Sequence, residues 1–128
     1  MPRFVVQHHV FADGDEHWDL MFEVRGVLWT WSLPAPPDRA ERLPVCAREL
    51  PDHRTKFLDY EGDVSADRGR VEIHDRGTYR WEDDAPAAPR ETLSVVVFHL
   101  TGERAAGRYQ LRRAPLDGKD LWRLRRLA

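Results

Sequence analysis

The sequence predicts an all-β protein: a compact antiparallel β-barrel of about eight short strands, closed or partly open, with little helix. Apolar and polar residues alternate over several short segments, and this two-residue period is that of a β-strand. Glycine- and proline-containing turn signals separate those segments. Sustained helical periodicity is almost absent. Strand-like alternation, frequent turn signals and little helix are together typical of an antiparallel barrel or sandwich. At 128 residues, the chain is long enough to bury one core, so we expect a single domain over residues 1–128.

The clearest alternation lies in residues 16–24. Its large apolar face consists of Trp18, Leu20, Phe22 and Val24. Residues 4–11 form a preceding strand across a turn at Gly14, and residues 27–33 form a third strand after a turn at Arg25-Gly26. Three prolines then end the third strand, because proline cannot donate a hydrogen bond to a ladder.

The remaining chain shows weaker patterns. We expect a short helical turn capped by Asp38, a short edge strand over residues 43–46 and a polar loop over residues 50–54. Turns are expected at residues 61–63 and 75–77, with an acidic Ala/Pro-rich loop at residues 83–89. The later predicted strands are residues 71–75, 78–81, 92–100, 107–113 and 121–127.

Composition narrows the class of protein. The net charge is −2, a third of the residues are charged, and no apolar run approaches the length of a membrane span. Cys46 is the single cysteine, which excludes an internal disulfide and a cysteine zinc cage. With no signal-peptide pattern before the first strand, we expect a cytoplasmic protein.

Charge is concentrated at one end of the chain. Residues 101–128 contain eight Arg or Lys residues against three Asp or Glu residues. This basic segment favours contact with a polyanion such as nucleic acid. It is equally compatible with arginines on the solvent faces of edge strands.

The polar face of residues 16–24 carries a potential metal site. His17 and Asp19 are two positions apart, which places their Cβ atoms about 7 Å apart along a strand. His8 and His9 lie across the predicted turn, and two histidines with one carboxylate leave open coordination positions on a divalent metal. Neither face of residues 4–11 is purely apolar, so strand parity does not choose between His8 and His9. The alternative interpretation is surface histidines and an aspartate that bind no metal.

An ordered series of motifs resembles the 3′-phosphoesterase domain of bacterial DNA ligase D and its stand-alone relatives. The N-terminal motifs are Phe-Val-Val-Gln-His-His at residues 4–9, His-Trp-Asp at 17–19, Gly-Val-Leu at 26–28 and Trp-Ser-Leu-Pro at 31–34. Later motifs are Arg-Leu-Pro-Val at 42–45, Asp-His at 52–53, Asp-Tyr-Glu-Gly at 59–62, Asp-Arg-Gly-Thr-Tyr at 75–79, and Gly-Glu-Arg at 102–104 with Gly-Arg at 107–108. The resemblance spans nearly the whole chain.

This resemblance implies a β-barrel with Mn²⁺, or another divalent transition metal, in a surface groove. It implies an enzyme that removes a terminal ribonucleoside and then the resulting 3′-phosphate from DNA ends. By position, the metal ligands are His9, His17 and Asp19. His53 would contact the scissile phosphate as a general acid, and Arg42 would neutralise phosphate charge. The implied partners are nucleic-acid 3′ ends and a DNA ligase or another end-joining protein.

The chain departs from the family pattern at phosphate-binding positions. Met21 stands where the family has an arginine, Phe57 where it has a tyrosine, and Ala35 near its lysine. Phosphate recognition would then fall to other cations, such as Arg54, Arg68, Arg70 or the basic C-terminal segment. The departures also favour an alternative function, a catalytically weakened module that binds nucleic-acid ends or docks on a repair partner. A third hypothesis is a barrel metalloenzyme acting on a small molecule.

Overall fold

A computed structural model describes residues 2–40, 44–83, 87–115, 118 and 120–128. These residues form nine strands: β1 (Arg3–Val10), β2 (Glu16–Val24), β3 (Val27–Leu33), β4 (Val45–Arg54), β5 (Gly62–Asp63), β6 (Arg70–Trp81), β7 (Val95–Gly102), β8 (Ala106–Arg113) and β9 (Leu121–Arg126). Short 3₁₀ turns occur at Pro37–Arg39, Thr55–Leu58 and Arg90–Thr92. The all-β prediction is confirmed.

The sheet closes into an antiparallel barrel of eight strands. The order is β1-β2-β3-β4-β9-β8-β7-β6, and pairing of β6 with β1 completes the ring. The two-residue strand β5 adds only to the edge of β6. Closure removes exposed sheet edges, which would otherwise pair with other chains. No helical segment in the described part of the chain is long and apolar enough to cross a membrane.

Inward-facing aromatic side chains fill the barrel. Phe22 contacts Trp31 and Phe98 with ring centroids 5.8 and 4.9 Å apart, and Trp31 lies 5.5 Å from Trp122. All four side chains are fully buried. Leu20, Phe22 and Val24 of the predicted apolar face belong to this core, and Trp18 packs against it. The alternation in β2 therefore identified the inner face correctly.

A second apolar cluster lies on the outside of the barrel wall. Its buried members are Val5, Met21, Leu28 and Leu58, with Phe57 and Ile73 packed against them. Leu58 comes from the 3₁₀ turn Thr55–Leu58, which covers the outer faces of β1, β2 and β3. Part of β1 is consequently buried on both faces, which explains why its sequence shows no clean alternation.

Several sequence-based predictions for the middle of the chain are wrong. Residue 43 of the predicted edge strand lies outside the described residues. The rest of that segment and the predicted polar loop at 50–54 are replaced by the ten-residue strand β4, which pairs with both β3 and β9 and is not an edge strand. The predicted turn at 75–77 lies inside the continuous strand β6. Gly77 serves close packing there, since a Cβ atom would lie 2.0 Å from the Thr101 carbonyl oxygen.

Asp75, also assigned to that turn, is a buried structural residue. Its carboxylate accepts backbone hydrogen bonds from Arg76, Glu103, Arg104 and Ala105 at 2.7–3.2 Å. Three of these donors belong to the connection between β7 and β8. Charge-assisted bonds of this kind are strong when buried, so Asp75 fixes the β7–β8 turn against β6.

Candidate active-site cleft

The pairing of β1 with β2 places three predicted site residues on the same outer face. His9 lies directly opposite His17, and Asp19 lies opposite Gln7. Opposed residues have Cβ atoms about 5 Å apart, so the backbone brings all three side chains within reach of one another. His8 points the other way: its ring stacks on Trp18 at 4.6 Å, and Nε2 lies 2.8 Å from Glu16. The register therefore places His9, and not His8, on the face that carries His17 and Asp19.

His9 and Asp19 form a half-enclosed pair. Nδ1 of His9 lies 3.9 Å from the Asp19 carboxylate, which is 6% exposed. The interaction with Asp19 raises the pKa of the His9 imidazole, while burial opposes that rise. On the other side of the ring, Nε2 donates a hydrogen bond to the Arg68 carbonyl oxygen at 2.6 Å. The ring of His9 is therefore held between β2 and the loop before β6.

His17 is turned toward the β1–β2 hairpin. Its Nε2 lies 3.4 Å from the Asp15 carboxylate, and its ring meets the edge of Phe11 at 5.2 Å. Within the described residue ranges, no three His, Cys, Asp or Glu side chains are gathered closely enough to hold a metal ion. The backbone positions and the donor types of His9, His17 and Asp19 fit a divalent transition metal. The fit requires His17 to exchange its Asp15 contact for the metal.

A groove with two lobes runs across this face. The first lobe has a volume of about 690 Å³ and the second about 560 Å³. Four residues line both lobes and so mark their junction: His9, Asp19, His53 and Arg68. A concave site with converging polar groups is the usual form of a ligand-binding cleft. Of the predicted site residues, His9, Asp19 and His53 thus meet at the centre of the groove, and His17 lines the second lobe only.

His53 lies on β4 and lines both lobes of the groove together with His9. Its Nδ1 donates a hydrogen bond to the Pro51 carbonyl at 2.9 Å, and its ring meets Phe57 edge-on at 6.0 Å. These contacts orient the imidazole and leave Nε2 for a ligand. His53 reaches the groove because residues 50–54 belong to strand β4 and do not form the predicted loop.

The cations around the groove come from several elements. Arg54, Lys56 and Arg68 line the first lobe, and Arg48 lines the second. The Arg68 guanidinium is positioned by hydrogen bonds to the backbone carbonyl and the side chain of Ser65, at 2.9 and 3.1 Å. Of the cations predicted to replace the missing phosphate contacts, Arg54 and Arg68 are therefore in the groove. Arg42 lies outside the described residues.

Met21 and Phe57 both belong to the outer apolar cluster. Met21 has no exposed surface and packs with Val5, Leu28 and Leu58, while Phe57 covers the same cluster and also lines the first lobe. Side chains at these two positions contribute hydrophobic packing. The polar lining of the groove comes instead from the residues named above.

Sequence reasoning missed three residues that build the first lobe, Gln7, Lys56 and Tyr60. The Gln7 side chain is 2% exposed, and its amide donates to the carbonyls of Phe57 and Tyr60, both at 2.9 Å. This pair of bonds holds the wall formed by residues 55–60 against β1. Tyr60 and Lys56 form part of that wall, with the Lys56 ammonium 5.3 Å from the Tyr60 ring. A polar residue inside an apolar strand segment was the available signal for Gln7.

Comparison with known proteins agrees with this geometry. Residues 7–113 match the model of the DNA ligase D 3′-phosphoesterase domain. The chain belongs to that family, and membership supports a phosphoesterase hydrolase.

Two of the similar proteins illustrate the relationship. The chain is 33% identical over 124 residues to the multifunctional non-homologous end joining protein LigD of Pseudomonas aeruginosa, covering 92% of this chain and 14% of that protein. It is 30% identical over 130 residues to the multifunctional non-homologous end joining DNA repair protein LigD of Mycobacterium tuberculosis, covering 97% of this chain and 16% of the relative. The chain thus spans about one seventh of the length of these relatives.

Proposed function

We propose that this protein is a Mn²⁺-dependent phosphoesterase that processes the 3′ ends of DNA during end joining. The observation that supports this most is the meeting of His9, Asp19 and His53 at the junction of the two lobes, with His17 directly opposite His9. The proposed substrates are ends that carry a 3′-terminal ribonucleotide or a 3′-phosphate. A cytoplasmic location follows from the proposed substrate.

The metal would be held by His9, His17 and Asp19. When bound, such an ion polarises a phosphoryl oxygen and lowers the pKa of a coordinated water. Metal binding requires a neutral imidazole, and the raised pKa of His9 means that protons would compete with the metal for this side chain. The Asp15 carboxylate beside His17 competes for that side chain in the metal-free protein.

His53 and the groove arginines would perform the remaining steps. Because Nδ1 of His53 is bonded to the Pro51 carbonyl, only Nε2 can deliver a proton to the leaving oxygen, as a general acid does. Arg68 and Arg54 would bind the non-bridging oxygens, since a guanidinium can grip phosphate with two parallel hydrogen bonds. Hydrolysis would form a bond between the water oxygen and phosphorus and break the bond between phosphorus and the leaving oxygen, which takes the proton from Nε2 of His53, while a proton of the attacking water passes to solvent.

The decisive experiment offers the purified protein a primer-template that ends in one ribonucleotide, and another that ends in a 3′-phosphate. With Mn²⁺ we expect shortening of the first and dephosphorylation of the second, and EDTA should abolish both. His17→Ala should lower the rate at least about 100-fold, as loss of a metal-centred step implies. His8→Ala is the matched control, because His8 faces away from the groove. Absence of turnover, or full activity of His17→Ala, contradicts the proposal.

A binding-only module is the second candidate. The contact between His17 and Asp15 favours it, because it keeps one of the three proposed ligands away from the other two. This candidate requires DNA binding that persists in EDTA, with no end processing under any metal. A small-molecule metalloenzyme would instead bind Mn²⁺ and ignore oligonucleotides.

A further inference from the structure

Three adjoining strand segments beside the second lobe contain several arginines and no acidic residue. Strands β8 and β9 contain no Asp or Glu, and neither do the four residues of β4 that pair with β9. The same segments contain seven arginines: Arg48, Arg108, Arg112, Arg113, Arg123, Arg125 and Arg126. The basic C-terminal segment of the sequence therefore forms part of a continuous sheet surface.

Four of these arginines project outward from neighbouring strands. Arg48 on β4, Arg123 and Arg125 on β9, and Arg112 on β8 are exposed. They alternate along their strands with the buried residues Ala47, Leu111, Trp122 and Leu124. We call Arg48, Arg112, Arg123 and Arg125 the basic strip. The other three arginines contact protein groups, exemplified by Arg108 with Glu82 and Arg113 with Glu49.

The strand register places arginines of neighbouring strands side by side. Arg112 lies directly opposite Arg123 on the neighbouring strand. Directly opposed like charges destabilise a sheet. Among the described residues, Arg48, Arg112 and Arg125 form no ion pair with a carboxylate. A bound polyanion would neutralise the charges of Arg48, Arg112 and Arg125.

The basic strip continues into the groove. Arg48 itself lines the second lobe, as do its cross-strand neighbour Leu121 and its near neighbour Cys46. Arg123 lies opposite Cys46, and Arg112 lies opposite Arg123. With strands spaced about 4.8 Å apart, the strip extends roughly 10 Å from the lobe wall across the barrel. A ligand occupying the second lobe can therefore extend onto the strip.

The chemistry of the strip favours a duplex backbone. Proteins that bind single strands combine basic grooves with exposed aromatic residues on which bases stack. The aromatic residues of β8 and β9, Tyr109 and Trp122, are both fully buried in the core. Arginines on an open sheet surface offer phosphate contacts without base contacts, which position a nucleic acid and read no sequence.

We propose that the basic strip binds the sugar-phosphate backbone of the double-stranded DNA behind the 3′ end that occupies the groove. The second lobe then holds the terminal nucleotides, and Arg48, Arg112, Arg123 and Arg125 hold the stem. The placement of the end rests on the proposed function, whereas the duplex contact itself does not require catalysis.

The test measures DNA binding in EDTA, so it is independent of turnover. Fluorescence anisotropy of a labelled blunt DNA hairpin is recorded over a range of salt concentrations. For Arg112→Ala/Arg125→Ala we expect at least about tenfold weaker binding at low salt and a salt slope smaller by about 2, one for each lost phosphate contact. Arg80→Ala/Arg104→Ala removes the same charge from exposed positions outside the strip and should keep the wild-type slope.

Two further measurements make the result specific. Arg112→Lys/Arg125→Lys should retain most of the slope, which separates lost charge from altered folding. The alanine double variant should also lose less affinity for an unpaired oligonucleotide than for the hairpin. A wild-type salt slope in Arg112→Ala/Arg125→Ala would overturn the proposal. So would equal losses of affinity in Arg112→Ala/Arg125→Ala and Arg80→Ala/Arg104→Ala, or equal losses for single-stranded and double-stranded DNA.

Failure of the two proposals can be distinguished. If the protein processes a short single-stranded 3′-phosphate oligonucleotide but the strip variants bind duplex normally, only the strip proposal is wrong. If no substrate is processed but the strip variants show the expected salt slopes, only the proposed function is wrong.

Discussion

Gln7 shows how one buried amide connects the barrel to its groove. The side chain is almost fully buried and donates to two carbonyls of the segment that forms the first-lobe wall. A buried carbonyl that loses its donor costs roughly 1–3 kcal/mol. Gln7 therefore contributes both to stability and to the position of Tyr60 and its neighbours.

We predict that Gln7→Glu lowers the free energy of unfolding by about 2–4 kcal/mol, because two buried carbonyls lose their donor. The replacement has the same shape, but an ionised carboxylate cannot donate to the carbonyls of Phe57 and Tyr60. Urea unfolding measures the difference in unfolding free energy. Gln110→Glu provides the matched control, because Gln110 lies on β8 opposite Arg125 and an acidic residue there adds an attractive cross-strand pair. Equal destabilisation of both variants would contradict the role assigned to Gln7.

At the scale of elements, the 3₁₀ turn Thr55–Leu58 has two roles. Leu58, 4% exposed, closes the outer apolar cluster over Met21, and the adjoining residues Lys56 and Phe57 line the first lobe. A single helical turn is not stable by itself, so the conformation of residues 55–58 depends on this packing. The wall of the groove is consequently only as rigid as the cluster beneath it.

We predict that Leu58→Ala lowers the free energy of unfolding by about 2–4 kcal/mol, the usual cost of truncating a buried leucine. Hydrogen exchange of the backbone amides in residues 55–60 should also accelerate relative to the rest of the barrel. Leu127→Ala, at a partly exposed position after β9, should cost less than about 1 kcal/mol and leave exchange in residues 55–60 unchanged. Protection equal to wild type in Leu58→Ala would show that the turn is held by other contacts.

At the scale of the whole molecule, ion pairs connect strands that are distant in sequence. Glu82, at the end of β6, contacts Arg108 on β8 and lies 2.7 Å from Nε2 of His99 on β7. The hydrogen bonds from Arg108, with a further contribution from His99, lower the pKa of the Glu82 carboxyl to about 2. One carboxylate thus links three consecutive strands of the closed barrel.

This lowered pKa predicts how stability depends on pH. A carboxyl whose pKa is lower in the folded state stabilises the protein above its ordinary pKa of 4.5 and loses that effect as pH falls toward 2. We therefore expect Glu82→Gln to have a lower melting temperature than wild type at pH 7, with the difference shrinking below pH 4.5. The effect should be small and decrease in salt, because the pair is exposed. A melting-temperature difference independent of pH would rule out this linkage.

The corrections to the sequence-based fold have a common cause. β4 was predicted as fragments because Pro51, Asp52 and His53 are typical of loops, yet pairing with β3 and β9 overrides those local preferences. The turn predicted at Gly77 failed because that glycine permits close approach of β7 to β6. In both cases the deciding contacts come from strands distant in the chain.

The sequence alone determined the β class, the inner face of β2, the family and the identity of the candidate site residues, because alternation and ordered motifs are local properties. Tertiary structure alone decided that His9 rather than His8 faces the groove, that His53 reaches the same cleft, and that the C-terminal arginines form one surface beside it. Register and barrel closure set these relations, and pairing between distant strands is not encoded in any single segment.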